Sequence, residues 1–340
     1  MGARSKQTYD SAGVNIEVAG KIKELIAKQA KSTFHPEALN LGSFGSMFQL
    51  KGYNEPVLVS SVDGVGTKLK IASLLNKNNT VGIDIVNHGV NDILCCGARP
   101  LFFLDYIAMD KLVPEQVEAI VTGIAQACRE VDCSLIGGET AEMPGIYFQG
   151  SYDLVGFIVG VVEKSNIIDG SSITAGDIIL GLPSNGLHTN GYSLVRGVFG
   201  INDKPSCLHD FYPELGKTLG EELLQIHHCY YPWVKPILSL IKGLAHITGG
   251  GFRGNIPRIL PQGLVAHLYK GSWDILPIFK LIQEKGNIAE AEMYRVFNMG
   301  VGMTIIASNQ EVAKISKMLP QAKVIGEVAK AKGKKKVIIV

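Results

Sequence analysis

Apolar residues change their period along the chain in a way that predicts alternating helices and strands. Residues 16–31 set Ile16, Ile22, Ile26 and Ala30 among lysines, the spacing of an amphipathic helix. The short apolar run 57–59 predicts a buried strand. In 82–96, Val86, Val90, Ile93 and Leu94 share one side of a helix, while Asp84, Asn87 and Asn91 fall within about 60° of one another on the other. Residues 100–109 read as a buried strand interrupted by Asp105. Val117, Ile120, Val121, Ile124, Ala127, Cys128 and Val131 form a helical stripe. Strands are predicted at 134–136, 154–162, 177–180, 265–269, 300–307 and 337–340. Helices are predicted at 193–199, through 217–243, and at 276–281 and 312–319. Strands and helices alternate in both halves, which predicts α/β layers. Polar and glycine residues thicken around 165–177, so the boundary is placed there, giving domains 1–168 and 169–340.

Composition adds exclusions. A 46% hydrophobic, 19% charged chain of 340 residues suits a well-cored protein of two domains. The net charge of +2 gives no surface for a polyanion. Lys330, Lys332, Lys334, Lys335 and Lys336 cluster near the end, but no aromatic residues interleave them, so no nucleic-acid partner is expected. The six cysteines form no C-x-x-C pair and no zinc spacing, a reducing-compartment pattern. No secretory leader or membrane-spanning run is visible, so the expected location is the cytoplasm, with no membrane partner.

The candidate chemistry lies in glycine-rich loops. Asp63-Gly64-Val65-Gly66-Thr67-Lys68 combines an acid, two glycines, a hydroxyl and a lysine after the first strand. Glycines let backbone N–H groups approach a phosphate, lysine adds a charge, and a carboxylate at a strand end suits Mg²⁺. The spacing is not that of the Walker A loop. Asp84, Asn87 and Asn91 offer the oxygen ligands Mg²⁺ prefers; the ordinary alternative is a solvated helix face, though such faces favour Lys and Glu over Asn. Asp105, a charge inside an apolar strand, needs a partner or a metal. Residues 137–145 read as a second strand-to-glycine turn bearing acids, with Gly138, Glu139, Thr140 and Glu142. Two more loops, 181–192 and 245–252, carry His188, Thr189 and Asn190, and His246, Thr248, Gly249 and Gly250. Each reads alone as a turn; together they point to a phosphate-rich ligand with Mg²⁺. The glycine-rich stretch 41–48 reads equally as a lid or a linker.

These segments together resemble the phosphoribosylformylglycinamidine cyclo-ligase family. The resemblance is carried by 9–14, 61–68, 87–92, 97–106, 137–145, 186–192 and 246–251, in order along nearly the whole chain. Asn15 and Met299 depart from the family's usual residues, away from any position assigned to chemistry. The resemblance implies ATP-dependent closure of formylglycinamidine ribonucleotide to aminoimidazole ribonucleotide through a phosphorylated formyl oxygen. It also implies a homodimer whose N-terminal mixed sheets join in a barrel, each followed by a C-terminal α/β sandwich. On this footing Asp63, Asp84, Asn87 and Asn91 would serve Mg²⁺. Gly64, Gly66, Thr67, Lys68, Gly138, Thr140, Thr189, Asn190, Thr248, Gly249 and Gly250, with Asp63, would hold ATP and phosphate. Lys68, Asp105, Glu139, His188 and His246 would be the catalytic group. A selenophosphate synthetase would need a reactive cysteine and a lysine in 42–48, and neither is there. A nucleotide sensor without activity would be expected to lose the acids, and they are present.

Overall fold

The computed structural model describes residues 16–40 and 44–340. The 9–14 motif and Asn15, and part of the glycine-rich 41–48 stretch, therefore lie outside the described residues. In chain order the first half contains α1 (Ile16–Lys31), β1 (Ala38–Asn40), β2 (Met47–Phe48), β3 (Pro56–Gly64), α2 (Lys68–Leu74), α3 (Asn79–Leu94), β4 (Arg99–Met109), α4 (Pro114–Glu130), β5 (Ser134–Glu142) and β6 (Tyr152–Glu163). The second half contains β7 (Ile178–Pro183), α5 (Tyr192–Phe199), β8 (Phe211–Tyr212), β9 (Lys217–Thr218), α6 (Leu219–Leu223), α7 (Tyr231–Val234), β10 (Gly243–His246) and α8 (Gly251–Asn255). It closes with β11 (Leu264–Leu268), α9 (Pro277–Gly286), α10 (Glu290–Val296), β12 (Val301–Ala307), α11 (Asn309–Met318), β13 (Lys323–Lys330) and β14 (Val337–Ile339). Among the described residues no helix is long and apolar enough to cross a membrane.

The first half builds a mixed four-stranded sheet in the order β3-β6-β4-β5. The β4–β5 pair is parallel and joined through α4, as a crossover requires. One face is covered by α3 and α4, which cross closely because glycines meet at the contact. A Cβ on Gly82 would overlap the Ile120 carbonyl, and one on Gly123 the Asn79 carbonyl. Along β3 exposure alternates, leaving Leu58 61% and Val62 63% exposed on the opposite face. The second half builds a six-stranded sheet, β10-β12-β7-β13-β11-β14. Every residue of β12 is buried, so both faces of that sheet are covered.

Two expectations change. Asp63 and Gly64 belong to β3, and Gly137 through Glu142 continue β5 instead of turning. Pairing with Leu104–Met109 keeps that segment extended, and Gly138 supplies the room Asp105 needs, since a Cβ there would overlap the Asp105 carboxylate. Residues 217–243 are not continuous helix: after α6, residues 225–230 run as an irregular strap across α3.

Candidate functional site

The polar face of α3 does not look into an open site. It grips the strap. Asp84 Oδ1 accepts the His227 amide N–H at 2.7 Å, and Asn87 Nδ2 donates to the His227 carbonyl at 2.8 Å. Asn91 Nδ2 donates to the His228 carbonyl, and its Oδ1 accepts the Tyr230 N–H, both at 2.8 Å. Lys68 Nζ lies 2.6 Å from Asp84 Oδ2 and donates to the Gln225 carbonyl at 2.6 Å. Burial pushes the Lys68 ammonium down and the Asp84 carboxyl up, each opposed by the other's charge. An irregular backbone buried between two domains must find partners for its polar groups, and short amide and carboxylate side chains supply them. The Mg²⁺ role expected for Asp84, Asn87 and Asn91, and the phosphate or catalytic role expected for Lys68, give way to this inter-domain clamp.

Beside the clamp, a chain of hydrogen bonds runs between the two domains and an ion pair of Asp92 with His88 closes it into a ring. Asp63 Oδ2 pairs with His88 Nε2 at 3.0 Å, and His88 Nδ1 lies 2.9 Å from Thr189 Oγ1. Thr189 Oγ1 lies 3.3 Å from His227 Nδ1, and His227 Nε2 lies 3.0 Å from His246 Nε2. His246 Nδ1 lies 2.8 Å from Asp92 Oδ1, while Asp92 Oδ2 accepts from Ser61 Oγ at 2.9 Å and sits 3.7 Å from His88 Nε2. Asp63, His88 and Asp92 come from the first domain; Thr189, His227 and His246 come from the second. His188 stacks on His227, with ring centroids 4.1 Å apart. It holds a left-handed backbone at φ 61°, and Gly302 clears the space for its ring and for the Tyr230 hydroxyl.

Charge follows from position. Burial opposes the His88 imidazolium, but the hydrogen bond to Asp63 and the charge of Asp92 outweigh it and raise its pKa. The His88 bond in turn lowers the Asp63 carboxyl. Burial works against the Asp92 carboxylate, yet His246 and His88 bring its pKa down. Burial depresses His246 despite Asp92, and depresses His188 and His227 further, because neighbouring cations and histidines add to it. His88 therefore sits between two carboxylates that favour its charged form, backed by histidines whose burial favours the neutral form.

Asp63 and Asp92 are the ring's accessible members, with side chains 52% and 29% exposed. Asp92, His246 and Ser61 line an inter-domain cleft of about 460 Å³ that also includes Thr248, Asn255 and Arg258. A second cavity of about 330 Å³ is lined by Gly66, Thr67, Lys70 and Arg196. A third cavity, about 620 Å³, is lined by Tyr53, Arg99, Glu163 and Lys235 and touches no member of the ring. The cleft is the candidate site because the perturbed titratable groups gather beside it.

The remaining expected residues divide. Thr67 meets Ser193 across the domain boundary at 3.1 Å, and Gly64 N–H bonds Asp63 Oδ1 at 2.7 Å. Gly249 abuts Asn190, and the Asn255 side chain ties the carbonyls of Thr248, Gly249 and Gly251 before and within α8. The Gly250 backbone is left-handed at φ 92°. Asp105 and Gly138 share a row across the sheet with Asp63 and Gly156, but strands separate them. Asp105 is buried, and burial raises its carboxyl to about 7. Glu139 and Thr140 lie on β5, the sheet edge remote from β3, where Glu139 Oε1 accepts the Thr140 N–H at 3.0 Å. Sequence reasoning passed over His88, Asp92 and His227. His88 and Asp92 are an i, i+4 pair on the flank of α3, and the adjacent His227-His228 was absorbed into a presumed helix.

Comparison with known proteins follows the same two units. Residues 49–162 match the family model for the AIR synthase related protein N-terminal domain, and 174–339 match that for the C-terminal domain. The chain is 54% identical over 324 residues to a phosphoribosylformylglycinamidine cyclo-ligase of Caldicellulosiruptor bescii, covering 93% of this chain and 94% of that one. It is 54% identical over 337 residues to one of Acetivibrio thermocellus, covering 96% and 98%. Among solved structures it is similar to thiamine-monophosphate kinase from Stenotrophomonas maltophilia, with a TM-score of 0.67, 14% identity and 96% of each chain covered. The hydrogenase maturation protein HypE in complex with ATP gives a TM-score of 0.64 at 16% identity, covering 93% of this chain and 90% of that one. At such identities these structures share the fold alone.

Proposed function

We propose that the chain, which belongs to the phosphoribosylformylglycinamidine cyclo-ligase family and carries out ATP-dependent ring closure to aminoimidazole ribonucleotide in purine biosynthesis, does this chemistry around the buried ring, at the cleft that Asp92 lines and along the exposed Asp63. The observation that carries this reading is the ring itself, which joins the domains and leaves two carboxylates facing outward.

In this reading the nucleotide substrate lies in the cleft of Asp92, His246, Thr248, Asn255 and Arg258, with Arg258 near its phosphate. The phosphates of ATP lie along Asp63 to Thr67. Transfer to the formyl oxygen makes phosphate the leaving group, the amidine nitrogen then attacks that carbon, and phosphate departs. Catalysis of such a transfer is mainly positioning and charge neutralisation. The Asp63 carboxylate, a hard oxygen donor half exposed at the site, fits Mg²⁺, whereas Asp84, Asn87 and Asn91 are engaged in the clamp. Bound there, Mg²⁺ would neutralise charge on the phosphates.

The uncovered sheet face supports the dimer. Leu58, Val62 and Phe157, the last 37% exposed, form an apolar surface that a second copy's sheet would cover. The test of function is turnover of formylglycinamidine ribonucleotide with ATP by the purified chain. Stoichiometric ADP, phosphate and aminoimidazole ribonucleotide support the proposal; ATP hydrolysis without the imidazole product contradicts it.

A further inference from the structure

We infer that His227 is a positioning residue for ring closure: its Nε2–H anchors the His246 ring at Nε2, and His246 thereby keeps Asp92 aimed into the cleft. The inference rests on the cleft being the reaction site.

The hydrogen positions follow from one end of the ring. The Asp92 carboxylate has no proton to give, so at 2.8 Å His246 Nδ1 must carry the hydrogen. His246 is buried beside neutral histidines and is itself neutral, so its Nε2 is a lone pair. His227 Nε2, 3.0 Å away, must then donate. That leaves His227 Nδ1 as an acceptor for the Thr189 hydroxyl at 3.3 Å. The Thr189 oxygen is in turn free to accept from His88 Nδ1 at 2.9 Å. Reversing His227 alone would set two lone pairs against each other at His246, even though the Thr189 hydroxyl can turn to accept instead of donate. One arrangement satisfies every member, and His227 is the link that passes the direction from one domain's threonine to the other side of the ring.

The fold fixes this link from outside. The backbone N–H and C=O of His227 are both gripped by α3, through Asp84 and Asn87. Its ring is fully buried and stacked on His188 at 18° between planes. It does not line the cleft, so it acts through His246. This accounts for the polar face of α3: the clamp holds the strap at the residue whose ring completes the circuit. A neutral imidazole oriented by a partner at its other nitrogen is a recurrent device for fixing a tautomer.

Three variants test it. His227→Phe keeps the stacking and removes both nitrogens. His227→Gln can return a donor toward His246, whereas the shorter His227→Asn cannot reach it. Turnover should fall about tenfold to a hundredfold in His227→Phe with KM for both substrates little changed, and recover in His227→Gln but not in His227→Asn. Side-chain ¹⁵N NMR should show His246 as the Nδ1–H tautomer with a hydrogen-bonded Nε2 in the wild type, and an Nε2 signal shifted by loss of that bond in His227→Phe. If His227→Phe does not fold, the contrast between Gln and Asn still decides. Equal turnover in all folded variants, with the His246 Nε2 signal unchanged, overturns the inference. Wild-type protein that makes no aminoimidazole product overturns the reaction assignment instead, so the two failures are distinguishable.

Discussion

Lys68 Nζ lies 2.6 Å from Asp84 Oδ2, with both side chains fully buried. The lysine begins the helix after the glycine loop, and the aspartate sits on the face of α3 that holds the strap. Removing one partner of such a pair leaves the other charge buried and uncompensated. Lys68→Met should therefore destabilise the protein by about 3–5 kcal/mol, read from chemical denaturation. An unchanged denaturation midpoint, with only ATP affinity lost, would restore a phosphate-binding role to Lys68.

Asp63 presents the opposite case. Its side chain is 52% exposed, and its partner His88 has Asp92 nearby as well. Asp63→Asn should remove most turnover and shift stability by no more than about 1 kcal/mol. Full activity of that variant at saturating Mg²⁺ would remove Asp63 from the site.

Helix α3 shows what was legible in the sequence and what was not. Its period separated an apolar face from one of Asp84, Asn87 and Asn91, and that division is real. What the polar face meets is set by a segment 140 positions away, in the bond from Asn87 to His227, and no local pattern announces it. Oxygen-bearing side chains suit a cation and a buried backbone equally well. The same blindness applied to Asp63-Gly64 and 137–142, where glycines suggested turns but sheet partners keep the chain extended. His188 and His246 were found because glycine loops frame them. His227 carried no such frame, and its ring partners come from two other segments.

The buried histidines make stability depend on pH. His188, His227 and His246 have folded pKa values below their ordinary 6.5. As pH falls below that value the unfolded chain takes up protons that the folded chain refuses. Stability is lost at about 1.4 kcal/mol per pH unit for each histidine that stays neutral. His88 has the reverse sign: its folded pKa is raised, so its contribution is complete below 6.5 and is lost as pH rises through the folded value. Denaturation midpoints should peak near neutrality and fall toward pH 5. A midpoint that rises steadily on acidification would contradict the charge assignment.

Asp105 gives a second pH test. Burial lifts its carboxyl from 3.8 to about 7, so the folded state holds a proton that the unfolded state has lost. Stability is lost as pH rises between those values and levels off above them. Asp105→Asn should accordingly stabilise the protein at about pH 8 and have little effect near pH 4. Destabilisation at the higher pH would mean that the carboxylate has a partner and a functional charge.

The apolar face of the first sheet predicts assembly. Val62→Glu places a charge at a position now 63% exposed, where it costs a monomer little and a sheet-to-sheet contact much. Sedimentation should show a dimer for the wild type and a monomer for the variant. A monomeric, active wild type would contradict the dimer.

The account turns on ATP converting the formyl oxygen into a leaving group at a site of carboxylates and backbone, with no covalent nucleophile drawn from the six free cysteines. The most direct measurement uses formylglycinamidine ribonucleotide carrying ¹⁸O in its formyl group and follows the label during one turnover. The account predicts that the label appears in inorganic phosphate. Label released to water, with unlabelled phosphate, would contradict it.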